Sequence, residues 1–257
     1  MVRPSSINRG TSMIQTLRKL PRFSLLAATF AIAAVSANAQ TSDAGSITVQ
    51  GTASGYVEVR AGGAASLANN SGGGITNNKI KGDKLNTPTT LIIDFGEVGP
   101  ANAASFVTAT VPLRLRSNVS YTLKTSVAAI TYGSGTPDAN SVTLADIGFG
   151  VSTATRDSGG GVAAGSDTIA ATASGDPTSG SNGSISGVTG RYTYNAGHSL
   201  ANYTSSTTVL TGPRIMNAMV PSANTNGLVV TTIFSIKPQF FTPGSFSTSV
   251  TFTISNP

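Results

Sequence analysis

The stretch PGSFSTSVTFTISNP, residues 243–257, has the clearest pattern in the sequence and indicates the fold class. Apolar and hydroxylated side chains alternate along it, and successive side chains of a β-strand point to opposite faces. The alternation therefore predicts a half-buried antiparallel strand that follows a turn at Pro243-Gly244. The row predicted to face the core contains Phe246, Val250, Phe252 and Ile254.

Similar alternation recurs along the chain, and no segment after residue 39 shows a convincing helical period. The sequence therefore predicts an all-β protein. A first strand is expected over Ser46–Ala53, with Ile47, Val49, Gly51 and Ala53 on one face. Further strands are expected at Gly55–Arg60, within 89–132, at Val142–Val151, from Arg191, from Thr207 and within Gly227–Phe241.

The central strand, near residues 106–116, should face the core with its odd-numbered residues. Arg114 and Arg116 fall on the other parity and are expected to face water. Pro112 has no N–H to donate to a ladder, so it indicates a bulge or a free edge at this point.

Residues 1–39 read as a cleaved export signal rather than as part of the fold. Five basic residues precede the apolar run Phe23–Val35, and Ala37-Asn38-Ala39 supplies small residues for cleavage. A membrane anchor is the competing interpretation, but this run is shorter than the roughly 20 residues of a spanning helix. Translation could also start at Met13. We therefore expect an exported protein of the periplasm, cell surface or extracellular space, with no integral membrane segment after cleavage.

Charge and cysteine content exclude several classes of function. Removing the five basic residues of the signal leaves 11 basic against 10 acidic residues, so nothing points to nucleic acid. The chain has no cysteine, which excludes disulfides, thiolate metal sites and cysteine nucleophiles. Residues 40–257 are long enough for one large sandwich or two small ones.

The segment from Gly133 to Asn226 is expected to be a loop-rich insertion in a single domain spanning 40–257. Between Asp157 and Gly190 there are 9 Gly and 7 Ser among 34 residues. Such a stretch buries too little to form a core of its own, so we expect long surface loops with two short strands.

Candidate catalytic and metal-binding groups are few, and no catalytic residue, metal site or cofactor is predicted. His198 is the only histidine, and GHSLA at 197–201 lacks the G-x-S-x-G elbow, so a surface-loop histidine is expected. The acidic residues of the insertion are spaced singly and are expected to be solvated rather than to bind calcium. These residues are Asp138, Asp146, Asp157, Asp167 and Asp176. Tyr192, Tyr194 and Tyr203 fit either an aromatic binding surface or cross-strand packing.

Three motifs together resemble the spore-coat-U and chaperone-usher pilin family of secreted sandwiches. They are SITVQGTASGYVEV near the mature N-terminus, DFGEVG with LRSNVSYTLK, and FTPGSFSTSVTFTI at the C-terminus. The resemblance implies an immunoglobulin-like antiparallel sandwich that lacks one strand and is completed by a neighbour's N-terminal extension. Ile47, Val49, Gly51 and Ala53 would then be donor-strand positions, and the C-terminal strand would border the acceptor groove. The missing cysteine and the long insertion depart from the family pattern.

Two functional hypotheses follow. The first is a non-enzymatic structural or adhesive cell-surface subunit, pilin-like, that pairs strands with copies of itself or with a periplasmic chaperone. The second is a monomeric secreted binding or hydrolytic domain with its site in the 133–226 loops. An outer-membrane barrel is disfavoured by irregular strand spacing and by the ending Ser255-Asn256-Pro257.

Overall fold

Sixteen β-strands and three short 3-10 helices form the part of the protein that the structure describes. This computed structural model describes residues 42–45, 57–61, 63–76, 91–100, 105–133, 136–158, 161–217 and 226–257. All of them belong to one unit that spans Ala39–Pro257. The expected signal peptide and the expected strand Ser46–Ala53 lie outside the described residues. No α-helix occurs within the described ranges, so the all-β prediction is confirmed.

The strand bounds follow the alternating segments of the sequence closely. The strands are β1 (Ser42–Gly45), β2 (Val57–Ala61), β3 (Ser66–Ala68), β4 (Gly74–Thr76), β5 (Ile92–Asp94), β6 (Val107–Ser117), β7 (Tyr121–Val127), β8 (Thr131–Tyr132), β9 (Ile147–Arg156), β10 (Thr168–Ile169), β11 (Gly183–Ile185), β12 (Tyr192–Tyr194), β13 (Thr207–Gly212), β14 (Leu228–Ile236), β15 (Phe246–Ser247) and β16 (Val250–Ser255). The 3-10 helices are Leu144–Asp146, Ala196–His198 and Leu200–Tyr203.

Two five-stranded antiparallel sheets carry most of the strands. The first has the order β1-β16-β7-β13-β10, and the second has the order β2-β6-β14-β9 with β3 also paired to β6. Strands β4 and β5, β8 and β15, and β11 and β12 form three smaller pairs. Phe252 of the first sheet lies 6.1 Å from Phe149 and 6.5 Å from Phe234 of the second, measured between ring centroids. The two sheets therefore share one buried core.

Strand β6 confirms two expectations and corrects a third. Its odd-numbered residues are buried, as predicted. Pro112 lies opposite the gap between β2, which pairs with residues 113–117, and β3, which pairs with 108–110. The prediction that both arginines face water is wrong for Arg116, which is completely buried. Its Nε donates to the carbonyl of Asn226, a partner 110 residues away that strand parity does not reveal.

The described part of the region 133–226 contains β9 and β13, which belong to the two five-stranded sheets, together with the shorter strands β10, β11 and β12. Its Gly-rich part contains two short strands, β10 and β11, as predicted. The strand predicted from Val142 begins only at Ile147, because residues 144–146 form a 3-10 helix. There the Asp146 carboxylate accepts hydrogen bonds from the backbone and hydroxyl of Thr143, each at 2.7 Å.

Candidate functional site

The C-terminal strand is divided in two, and the division lies beside an apolar groove. Strand β15 pairs with β8, and β16 pairs with β7. Between them the Thr248 hydroxyl donates to the carbonyl of Ala128 at 2.6 Å, which keeps residues 248–249 against the segment that joins β7 and β8. One side of residues 246–255 is thus paired along its length with residues 122–132.

On the opposite side of the same segment, the described residues supply a strand partner for only part of its length. Strand β1 pairs with residues 252–255, where Gly45 lies opposite Phe252 and Ser42 lies opposite Ser255. Among the described residues, no strand pairs with this side of residues 246–251. An edge strand with unpaired backbone groups is a template for the addition of another strand.

An apolar cavity of about 270 Å³ opens at this edge. One wall comes from Leu91, Ile93 and Phe95, in and beside β5, and the floor includes Phe234 and Val111 of the second sheet. The remaining wall is the C-terminal strand, which contributes Phe246, Thr248, Val250 and Phe252 along with the intervening serines. We name this cavity the edge groove. It exposes apolar side chains beside backbone groups that have no strand partner in the described part of the chain.

The wall formed by residues 91–95 is fixed by a close backbone approach. Ser71 forms a bridge with Gly96, and Glu97 N–H donates to the Ser71 carbonyl at 2.8 Å. Gly96 has a φ of 70°, and a Cβ there would lie 2.1 Å from the Ser71 oxygen. Only glycine fits at this position.

The four C-terminal residues predicted to face the core all lie on one face of the strand, but only three of them line the edge groove. Phe246, Val250 and Phe252 line the edge groove, whereas Ile254 is completely buried in the core beyond it. The proposed donor positions Ile47, Val49, Gly51 and Ala53 lie outside the described residues. The sequence does not reveal that residues 91–95 line the edge groove, because the C-terminal strand that forms the other wall lies some 150 residues further along the chain.

The prediction that His198 lies in a surface loop is wrong. His198 belongs to the 3-10 helix Ala196–His198 and is only 8% exposed, and its Nδ1 has no hydrogen-bond partner among the described residues. The neighbouring Ser199 is also buried, and its hydroxyl accepts the N–H of Ala201, which caps the following 3-10 helix. This serine therefore has a structural role in the fold.

The carboxylates expected to be solvated include two that are almost fully buried. Asp146 is 1% exposed and accepts hydrogen bonds from Arg191 Nε at 2.8 Å and Nη2 at 2.5 Å. The side chain of Asp167 is 4% exposed, and it binds Arg156 and the Tyr121 hydroxyl. Each arginine also donates to backbone carbonyls, at 139 and 141 for Arg191 and at 163, 213 and 214 for Arg156. Asp167 thus joins the Gly-rich segment to β7 and β9, whereas Asp146 joins the 3-10 helix Leu144–Asp146 to Arg191.

The three tyrosines pack rather than form one exposed surface. Tyr194 and Tyr203 are buried, and Tyr192 stacks edge-on to Tyr194 and to Phe106 at 5.2 Å each. Burial raises the pKa of Tyr203 to about 12 and that of Tyr194 further. Burial, followed by its hydrogen bond to Asp167, also raises the pKa of Tyr121.

The described residues contain no group of three or more His, Asp or Glu side chains that could hold a metal ion. A surface depression of about 350 Å³ between residues 129–132 and the insertion is lined by Ile130, Tyr132, Leu144 and small side chains, without a carboxylate or histidine. No helix within the described ranges is long and apolar enough to cross a membrane.

Comparison with known proteins gives no relative from which to transfer a function. The chain has no significant match to a protein-family model, a curated protein or a solved structure.

Proposed function

We propose that this chain is an exported, non-enzymatic structural or adhesive subunit of the cell surface that assembles by β-strand addition. The observation that carries the proposal is the edge groove, where an apolar cavity borders backbone groups of residues 246–251 without a strand partner in the described residues. Strand addition uses both features, since main-chain hydrogen bonds supply affinity and alternate side chains enter pockets.

The proposed fold is an immunoglobulin-like sandwich with an incomplete strand set. Two features support it: two antiparallel sheets with a common core, and a C-terminal strand whose outer side is paired only at residues 252–255 within the described part of the chain.

The register of β1 supports the proposed donor segment. Gly45 lies opposite Phe252, and directly opposed residues of an antiparallel pair share a face. The same register continued along the chain would place the odd-numbered donor positions on the face of the groove. It would pair Ile47 with Val250, Val49 with Thr248, and Gly51 with Phe246. A neighbouring copy supplying residues 42–53 could therefore complete the sheet in this register.

One observation favours the alternative, a monomeric secreted binding or hydrolytic domain. Strand β1 belongs to the same chain as the β16 edge that it covers, so an intrachain strand already completes part of the sheet. In this alternative the function would reside in the 133–226 loops, and residues 246–251 would have no role in assembly.

The two functions differ in the behaviour of the exported protein. Strand addition predicts filaments, visible by electron microscopy, or a ladder of oligomers on a gel, and deletion of residues 40–53 should yield isolated monomers. As a finer test, Ile47→Asp and Val49→Asp should prevent assembly because a charge would enter an apolar groove. Thr48→Asp and Gln50→Asp, on the opposite parity, should preserve it. A wild-type protein that is always monomeric, or equal effects on both parities, would contradict the proposal.

A further inference from the structure

The outer face of the first sheet carries mostly hydroxylated side chains. Strand β7 buries its odd-numbered residues and turns its even-numbered residues away from the core. Directly opposed residues of an antiparallel pair share a face, so the register identifies the outward residues of β16, β13 and β10 as well. Those with a hydroxyl group are Thr122, Ser126, Thr168, Thr208, Thr211, Thr251, Thr253 and Ser255. We name these residues, together with Lys124, the hydroxyl face.

Lys124 is the one charged residue of the hydroxyl face, and it lies among the hydroxyls. It is opposite Thr253 of β16 on one side and Thr208 of β13 on the other. Thr122 and Ser126 flank it along β7, because residues two apart on a strand share a face. The lysine therefore has a hydroxylated neighbour in all four directions.

The polar groups of the hydroxyl face have no side-chain partner within the described part of the protein. Neither its hydroxyls nor the Lys124 ammonium form a side-chain hydrogen bond or an ion pair there. The outer face of the second sheet differs, since Arg114 pairs with Asp157 and the Thr153 hydroxyl donates to a neighbouring hydroxyl in β14. The hydroxyl face thus presents donors, acceptors and one positive charge that the described residues do not use.

The composition of the hydroxyl face selects among classes of partner. The centre of a protein interface favours aromatic and other apolar side chains, and this face has none. Nucleic acids and anionic lipid surfaces are bound by several basic residues, whereas this face has only Lys124. Hydroxyl groups both donate and accept hydrogen bonds, as the alcohol groups of sugars do, and an ammonium group binds a carboxylate. The complementary partner is therefore a sugar polymer that carries carboxylates.

We propose that the hydroxyl face binds an acidic polysaccharide, with the Lys124 ammonium on a carboxylate of the sugar chain and the surrounding hydroxyls on its alcohol groups. The sheet repeats these groups at roughly 4.8 Å between strands and roughly 6.8 Å along a strand, so it contacts several successive sugar units. This inference goes beyond assembly by strand addition, which uses the edge of the first sheet rather than its face.

Binding to polygalacturonate, a linear carboxylated polysaccharide, tests the proposal. The polymer is immobilised, and binding of the full-length protein is measured by surface plasmon resonance. The protein should bind, and added salt should weaken the binding because the contact includes a charge pair. The methyl-esterified polymer has neutral side groups and should bind about fivefold more weakly. No binding of polygalacturonate, or equal binding of the two polymers, would overturn the proposal.

A pair of lysine variants locates the charge that contributes to binding. Lys124→Gln should weaken binding to polygalacturonate about fivefold or more, because it removes the cation of the hydroxyl face. Lys237 follows β14 in the second sheet, so Lys237→Gln makes the same change of charge elsewhere and should leave the affinity unchanged. Equal losses would indicate attraction by net charge alone and would refute a site at Lys124.

A pair of threonine variants tests the hydroxyl groups. Thr253→Val replaces a hydroxyl beside Lys124 with a methyl group and should weaken binding about twofold or more. Thr155→Val makes the same change at an exposed position of β9 and should leave binding unchanged. Valine suits a β-strand, so both variants should fold, which thermal unfolding verifies. Unchanged binding by Thr253→Val would refute the role of the hydroxyls. Filament formation is measured separately, so the failure of this proposal is distinguishable from the failure of strand addition.

Discussion

Arg156 and Asp167 form a two-point ion pair, with Nε to Oδ2 at 2.7 Å and Nη2 to Oδ1 at 2.9 Å. Arg156 ends β9 and Asp167 lies in the Gly-rich segment 157–190, so the pair fastens that segment to the second sheet. Their side chains are 9% and 4% exposed. Asp167→Ala should lower the free energy of unfolding by about 3–5 kcal/mol, because it leaves a nearly buried guanidinium without its counter-charge. Urea denaturation measures the loss.

Asp157 provides the matched comparison. It pairs with Arg114, and the two side chains are 30% and 19% exposed, so water screens the pair more strongly. Asp157→Ala should cost about 1 kcal/mol or less. Equal losses for the two substitutions would contradict the view that Asp167 anchors the insertion.

The buried tyrosines predict an alkaline limit to stability. Burial raises the pKa of Tyr121, Tyr194 and Tyr203 above the ordinary value of 10.0. Because the folded state holds these protons more tightly, their contribution is complete below pH 10 and is lost as the pH rises towards the folded pKa values. The free energy of unfolding should therefore fall above pH 10, and the absorbance of the corresponding tyrosinates should appear with unfolding. Stability that stays constant across this range would disprove the assignment.

The aromatic contact between the sheets predicts a large loss on truncation. Phe252 is 2% exposed and contacts Phe149 and Phe234 of the opposite sheet. Phe252→Ala should reduce the free energy of unfolding by about 3–5 kcal/mol, through lost burial and the cavity left behind. Phe240 is 84% exposed, so Phe240→Ala also removes a phenyl ring but should change the free energy of unfolding by less than about 0.5 kcal/mol. The prediction fails if chemical denaturation gives similar values for both.

The wall of the edge groove formed by residues 91–95 depends on the adjacent Gly96. Its φ of 70° and the approach of the Ser71 oxygen leave no room for a side chain. Gly96→Ala should lower the free energy of unfolding by at least about 1–2 kcal/mol. It should also weaken the binding of a synthetic peptide that spans residues 42–53. Gly99→Ala is the control, since a Cβ there meets nothing within 4 Å. Unfolding and peptide titration of both variants test this, and unchanged peptide affinity for Gly96→Ala would show that this wall does not contribute to binding.

Local patterns predicted much of the strand content, because a two-residue period is a property of adjacent side chains. The odd-numbered burial of β6, the gap at Pro112 and the burial of Phe252 and Ile254 all follow from that period and from backbone chemistry. The break between β15 and β16 was not predicted. The alternation continues through Thr248, while the pairing changes from β8 to β7.

Long-range partners account for the errors. Arg116, Asp146 and Asp167 were expected in water because charged side chains are usually solvated, yet each has a partner that parity cannot reveal. Burial of His198 likewise depends on how the 3-10 helix Ala196–His198 packs on distant strands. The edge groove could be predicted only in part, since one wall is an alternating strand and the other is an irregular segment.

Disulfide trapping tests most directly whether copies join through the edge groove. The chain has no cysteine, so introduced thiols can pair only with each other. In the proposed register Val49 of one copy lies opposite Thr248 of the next, at a Cβ separation of about 4.5–5.5 Å, within reach of a disulfide after small adjustments. Mixing the Val49→Cys and Thr248→Cys proteins under mild oxidation should give a covalent dimer. Gln50→Cys, on the other face, should give little dimer with Thr248→Cys. The double variant Val49→Cys/Thr248→Cys should form a covalent ladder, whereas monomers closed by an internal disulfide, with no dimer in the mixture, would contradict assembly by strand addition.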